Sequence, residues 1–133
     1  GKTKMIGISN VTADQLTLLC ARAAHKPMVV QNRCYAALGW DQDVRAICRT
    51  HGIIYQGFSL LTANRELFAD PEVRAMAAKY GMGLAQLVFR FAMQTGMLPL
   101  TGTTDPQHMQ EDLRSDQFAI APDDLQRLEI IGM

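Results

Sequence analysis

Four short apolar runs recur along the chain: Met5-Ile6-Gly7-Ile8, Met28-Val29-Val30, Ile53-Ile54-Tyr55-Gln56-Gly57-Phe58 and Leu98-Pro99-Leu100. Their starts lie roughly 23 to 45 residues apart, too far for hairpins and suited to parallel strands joined by right-handed helical crossovers. Each run is nearly continuous in apolar character, which predicts strands covered on both faces. Helix signals fill the intervals. Thr12 with Gln15 makes a capping box, followed by an apolar stripe of Leu16, Leu19, Cys20 and Ala23, and Pro27 stops the helix. A loop through Leu38-Gly39-Trp40 leads to a helix from about Asp41 to Arg49, with Val44, Ile47 and Cys48 inward and His51-Gly52 as its C-terminal cap. Asp70-Pro71 opens a helix carrying Val73, Met76, Ala77 and Tyr80, which Gly81 ends. The stretch Leu84 to Gln94 is nearly all apolar and predicts a sandwiched helix. Asp105 to Leu113 follows the fourth strand, Phe118 and Ile120 form an extended link, and Pro122 to Ile130 is a last helix with Asp123 and Asp124 near its positive end. The predicted order is βαβαβααβαα.

The 133 residues suffice for one domain with a core, and 48% hydrophobic with 20% charged residues reads as soluble and globular. Thirteen basic residues balance thirteen acidic ones, so nothing in the charge points to nucleic acid or a membrane surface. No apolar run approaches a bilayer span, and Gly1-Lys2-Thr3-Lys4 does not read as a signal peptide. Cys20, Cys34 and Cys48 are odd in number and lack CxxC spacing, and His25, His51 and His108 are scattered. The expectation is no metal site, no disulfide framework and a reducing cytoplasm.

In parallel α/β sheets ligands bind at the carboxyl ends of strands. Four stretches fall there: Ser9-Asn10, Gln31-Asn32, Phe58-Ser59-Leu60-Leu61 and Gly102-Thr103-Thr104. They offer hydroxyls, amides and one aromatic ring, a surface for a polar ligand with a flat ring rather than a set of acids and bases. The segment from Leu98 to Pro106 joins a strand, a small-residue turn and a helix N-terminus, which reads either as an ordinary connection or as a phosphate seat. No Lys follows Gly102, so it is not a P-loop.

The motifs IGISN at 6–10, VVQN at 29–32, HGIIYQGFSLL at 51–61 and TGTTDPQHMQEDL at 101–113 resemble the aldo-keto reductases, in the order of that family and over essentially the whole chain. The family's fold is a (β/α)8 barrel that reduces carbonyls with NADPH or NADH, and such a barrel takes about 250 residues. The resemblance therefore implies the C-terminal half, an α/β half TIM barrel of four parallel strands with flanking helices. It places Ser9, Asn10 and Gln31 at the nicotinamide carboxamide and Phe58 where a Tyr stacks on the nicotinamide. Ser59 and Leu61 fall at the pyrophosphate, and Thr103, Thr104, Glu111 and Asp112 near the adenosine. Gly102 and His108 stand where the family often has Lys and Arg for the 2′-phosphate of NADP, so preference for NADP should weaken. Asp112 replaces the adenine-facing Asn. NAD or NADP binding is thus implied as weak.

The family's catalytic Asp, Tyr, Lys and His belong to the other half, so the resemblance implies no catalytic residue in this chain. Tyr35 is the one tyrosine expected near the site, with Arg33 either assisting it, ion-paired or solvated. Tyr55 and Tyr80 read as core or boundary residues, and none of Lys2, Lys4, Lys26 and Lys79 follows a strand's carboxyl end. Simpler roles compete at each site position: Ser9 and Asn10 satisfying backbone groups, Phe58 as a core aromatic, His108 on the surface, and Trp40 as a packing anchor or a cover to the pocket. Met76, Met82, Met93 and Met97 read as core filling. A half-barrel leaves two sheet edges and a concave apolar face open, which predicts a homodimer. The functions in play are a dinucleotide-binding or scaffold module without chemistry, or part of an oxidoreductase completed by a separate N-terminal half.

Overall fold

The computed structural model describes all 133 residues, and it orders them as β1 (Gly7–Ser9), α1 (Ala13–Arg22), β2 (Val29–Arg33), α2 (Gln42–His51), β3 (Ile54–Phe58), α3 (Pro71–Tyr80), α4 (Leu84–Gln94), β4 (Met97–Pro99), α5 (Pro106–Leu113) and α6 (Pro122–Ile130). Short 3-10 turns at Ala36–Asp41 and Leu67–Ala69 follow β2 and β3. The strands form one sheet in the order β1-β2-β3-β4, every pair parallel. This is the expected α/β half-barrel.

Local chemistry sets most helix ends. Thr12 caps α1 through a complete capping box with Gln15. Asp70 and Asp105 each accept two backbone N–H bonds at the starts of α3 and α5, with Pro in the first turn. Gly52 and Gly81 end α2 and α3 in the left-handed conformation that lacks a Cβ penalty.

Several strand boundaries depart from the expected ones, and β2 and β3 each begin one residue later, at Val29 and Ile54. β1 begins at Gly7, because Met5 and Ile6 are 63% and 46% exposed and have no second layer to hold them in an apolar strand. β2 continues to Arg33, carrying Gln31 and Asn32 inside the strand, since both find hydrogen-bond partners there. β4 is Met97–Pro99, one residue earlier than expected. At α2, Asp41 stands at the N-cap position with φ 58° but makes no side-chain capping bond, because its carboxylate turns inward.

Side-chain alternation divides the sheet into two unlike faces. Val30, Asn32, Tyr55 and Met97 are buried beneath the helices. The register aligns Ser9, Gln31, Gln56 and Leu98 on the opposite, concave face, with Arg33 beside Phe58 one step further along. That face is not the uniformly apolar surface expected. Gln31 Nε2 donates to Gln56 Oε1 at 3.1 Å across it, with the exposed Leu98 beside Gln56 on β4 and the exposed Ile54 two residues before Gln56 on β3.

The core lies between sheet and helices. Trp40 is fully buried, 4.8 Å from Phe91 between ring centroids, and its Nε1 donates to Leu128 O at 2.8 Å. It is a packing anchor of the core. The chain's end closes over the same region. A Cβ on Gly132 would stand 2.5 Å from the carbonyl carbon of Ala36, so Gly132→Ala must push the C-terminus off the turn after β2. Overpacking of this kind costs about 1–3 kcal/mol, to be read as a lower urea midpoint with an unchanged slope.

Candidate functional site at the carboxyl ends of the strands

The carboxyl ends of β1, β2 and β3 bring Ser9, Gln31 and Phe58 to one face of the sheet. Ser9 and Gln31 are register partners, and Phe58 lies two residues beyond Gln56, the partner of Gln31. Ser9 Oγ donates to Gln31 O at 2.8 Å, and the Asn10 amide donates to the same carbonyl at 3.0 Å. The simpler role of satisfying a backbone group is realised by the Ser9 side chain, whereas Asn10 contributes only its backbone amide. That role leaves Ser9 Oγ with acceptor lone pairs and, because Gln31 Nε2 is engaged by Gln56, Gln31 Oε1 as an acceptor. Two acceptors beside an aromatic face match a primary amide attached to a flat ring.

The backbone is bent sharply at this rim. Asn10 and Ser59, the residues after β1 and β3, have φ of 56° and 57°. Asn tolerates the left-handed region, whereas Ser adopts it at a cost that surrounding structure must offset. Leu61 is half-buried against the core below Ser59.

At β4 the chain turns through Gly102-Thr103-Thr104 into α5. Asp105 Oδ1 accepts from the Gln107 and His108 amides at 2.7 and 3.3 Å, and these bonds hold its carboxyl below the usual range. Thr103 Oγ1 accepts from the Asp105 amide, and Thr101 Oγ1 donates to Asp112 Oδ2 at 2.6 Å. The positive end of α5 is thus already served by a carboxylate of its own chain, while Glu111 and Asp112 lie in the last turn of that helix, where Glu111 Oε1 accepts from Gln107 Nε2 at 2.9 Å. Gly102 and His108 supply no fixed cation. His108 is exposed, as its surface reading implied, and so is Thr104, while Thr103 and Glu111 are half-buried.

Tyr55 and Tyr80 are tied to carboxylates of their own chain. Tyr55 OH is buried and donates to Asp41 Oδ2 at 2.8 Å; burial, with Cys34 and Asp41 alongside, pushes its pKa up, opposite to the shift a phenolic acid catalyst needs. Tyr80 OH donates to Asp124 and accepts from the Ala121 amide, tying α3 to α6. Tyr35 lies past β2 with the Arg33 guanidinium 5.3 Å from its ring centroid, a cation over the ring face. Lys79 pairs with Asp124, and Lys2, Lys4 and Lys26 precede β1 and β2 at the opposite end of the sheet. The three cysteines are free and buried; burial lifts Cys34 to about 12 and Cys48 to about 11, so neither supplies a thiolate near neutrality.

Two rim contributors lie within the motifs at 51–61 and 101–113 without being marked by them as site residues. Gln56 orients Gln31, and its place two residues before Phe58 in a strand is the available signal. Asp105 acts as the resident anion of α5, a role that its Asp-Pro cap pattern already contains.

The sequence profile of the Aldo/keto reductase family matches residues 1–132. The chain belongs to the aldo-keto reductase family. It is 27% identical over 135 residues to aldo-keto reductase family 1 member A1 of Xenopus tropicalis, covering 95% of this chain and 41% of that protein. It is 26% identical to rho crystallin of Rana temporaria, over 97% of this chain and 43% of that one, and 30% identical to an uncharacterised oxidoreductase of Schizosaccharomyces pombe. The fold superposes on the apo form of Gox0644 with a TM-score of 0.85 at 22% identity, over 97% of this chain and 47% of that one. An aldo/keto reductase from Brucella melitensis gives 0.80 at 23% identity, again over 47% of its chain. The chain thus spans less than half the length of these aldo-keto reductase relatives. No helix is long and apolar enough to cross a membrane, and no cluster of three or more His, Cys, Asp or Glu is arranged to hold a metal.

Proposed function

We propose that this aldo-keto reductase half-barrel is a dinucleotide-binding module that reduces no carbonyl by itself. The observation that carries this reading is the grouping of Ser9, Gln31 and Phe58 on one face at the carboxyl end of the sheet. A bound NADH would bring the hydride; this chain would hold the carboxamide at Ser9, Asn10 and Gln31, with Phe58 under the ring. Ser59 and Leu61 would border the pyrophosphate, and Gly102, Thr103, Thr104, His108, Glu111 and Asp112 the adenosine end. No phenol of this chain has both access to that face and a lysine to lower its pKa, so the proton required by the carbonyl oxygen has no donor of matched acidity. Free, buried thiols favour a reducing, cytoplasmic setting.

The adenosine end favours NAD over NADP. Gly102 and His108 stand where the family often has Lys and Arg for the 2′-phosphate, and Asp105 already holds the start of α5, so that phosphate finds no fixed cation at these positions. A side chain at Gly102 has open space, with nothing within 4 Å of a built Cβ. Gly102→Lys is therefore expected to raise NADPH affinity about tenfold while changing NADH affinity little, as a charge-assisted contact gives about 1.5 kcal/mol or more. Calorimetric titration of the unmodified chain and the Gly102→Lys variant with both nucleotides checks it; equal gains for NADH and NADPH contradict the assignment of this end. Trp40 is too deeply buried to report binding by direct contact.

A second reading follows from length. The chain spans 41–47% of its aldo-keto reductase relatives, so an N-terminal half, whether it precedes these residues in one protein or comes from a separate chain, would supply the catalytic group. Carbonyl reduction that appears only when such a half is added would favour this reading over a module without chemistry.

A further inference from the structure

We infer that Asn32 is a positioning residue for the nicotinamide end of the proposed seat: from the helix side of the sheet it holds the Ser9-Asn10-Val11 turn in the shape that presents Ser9 and Asn10 to the ligand. This role rests on the dinucleotide reading above. Gln31 and Asn32 are neighbours on β2 and point to opposite faces, so one dipeptide serves the rim from both sides. Gln31 O accepts from Ser9 Oγ and from the Asn10 amide. Asn10 then takes φ of 56° and turns the chain out of β1 toward α1. Asn enters the left-handed region at low cost, but nothing in Asn10 itself selects that region over extended backbone. The next residue makes the selection. Val11 is buried, and neither its N–H nor its C=O has a backbone partner. The Asn32 amide meets both, Oδ1 accepting at 3.0 Å and Nδ2 donating at 2.8 Å. An extended Asn10 would carry Val11 away from this amide and strand two buried backbone groups.

The Asn32 amide is itself aimed. The Asp41 carboxylate accepts from Nδ2 and from Tyr55 OH, each at 2.8 Å, and a carboxylate offers no donor to a reversed amide. Asp41 is brought there by its own left-handed backbone at the start of α2. Tyr55 on β3, Asp41 before α2 and Asn32 on β2 thus form a line behind the sheet that ends on the turn carrying Asn10. Asn32 and Tyr55 are buried beneath the helices, so they act on a nucleotide at the concave face only through that turn. The effect is confined to the ring end. The adenosine end is built after β4, the strand farthest from β1 in the sheet.

Calorimetric titration with NADH and with ADP-ribose, the same nucleotide lacking the nicotinamide, tests this role. The unmodified chain is expected to favour NADH. Asn32→Ala is expected to weaken NADH about tenfold and to leave ADP-ribose within about twofold, because only the ring end loses its geometry. Tyr55→Phe keeps the ring in the core and removes only the hydroxyl, so it serves even where Asn32→Ala fails to fold. It is expected to weaken NADH about threefold with the same selectivity. Circular dichroism melts verify the fold of each variant. A loss shared equally by both nucleotides overturns the positioning role, since general destabilisation acts on both. An unchanged preference for NADH in the folded variants overturns it as well, and leaves the dinucleotide reading standing. An unmodified chain that binds neither nucleotide overturns that reading and this role together.

Discussion

Replacing Trp40 by alanine is expected to remove about 3–5 kcal/mol of folding stability, a large fraction of what a domain of this size possesses. Three losses combine. The indole leaves a cavity at a fully buried position, since no neighbouring element can collapse into it without moving α4 or α6. The tilted contact with Phe91 at 4.8 Å disappears. Leu128 O loses the indole N–H donor that reaches it across 88 residues of sequence. Trp40→Phe restores the packing but not that hydrogen bond, so it should recover most of the stability and leave a deficit of about 1 kcal/mol. Urea unfolding followed by circular dichroism distinguishes the three proteins. A loss below about 1 kcal/mol in Trp40→Ala would contradict the role of this indole as the anchor of the core.

Asn32→Ala is expected to cost about 3 kcal/mol, although it deletes only a small polar side chain. Asn32 is buried under the helices, and its amide works in both directions. Oδ1 accepts from the Val11 amide at 3.0 Å, while Nδ2 donates to Val11 O and to Asp41 Oδ2, each at 2.8 Å. Asp41 in turn accepts from Tyr55 OH. Truncation leaves the Val11 amide and carbonyl without these partners and the Asp41 carboxylate with one fewer donor. Asn32→Asp keeps the shape and the acceptor but sets a second negative charge against Asp41, so it should be no better than alanine at neutral pH. Thermal melts of both variants check the ranking; a stable Asn32→Asp protein would contradict Nδ2 as the donor to Val11 O and Asp41.

Asn32 also shows where sequence reasoning stops. A polar residue after Val29-Val30 reads as the end of a strand, because its partners, Val11 and Asp41, are defined only once the chain has folded. The left-handed run Gly39, Trp40 and Asp41 has the same origin. Gly39 permits such a backbone, but Trp40 and Asp41 accept it because the indole fills the core and the carboxylate meets Asn32 and Tyr55. Local signals fare better where the chemistry is local: Thr12 with Gln15, Asp70-Pro71, Asp105-Pro106, Gly52 and Gly81 bound their helices within a residue or two. The strands are visible as apolar runs, yet their inner-face residues Ser9, Gln31 and Gln56 break the pattern that marks a strand covered on both sides. The nicotinamide reading of the rim rests on family resemblance, since hydroxyls and amides at strand ends do not by themselves name a nicotinamide.

Supplying the 133-residue chain with NADH and a panel of aldehydes and ketones decides whether this half-barrel binds without reacting. Nucleotide binding is followed by calorimetry and consumption by nicotinamide absorbance. Saturable binding with no consumption above the uncatalysed rate is the expected result. Carbonyl-dependent oxidation of NADH by this chain alone would contradict it.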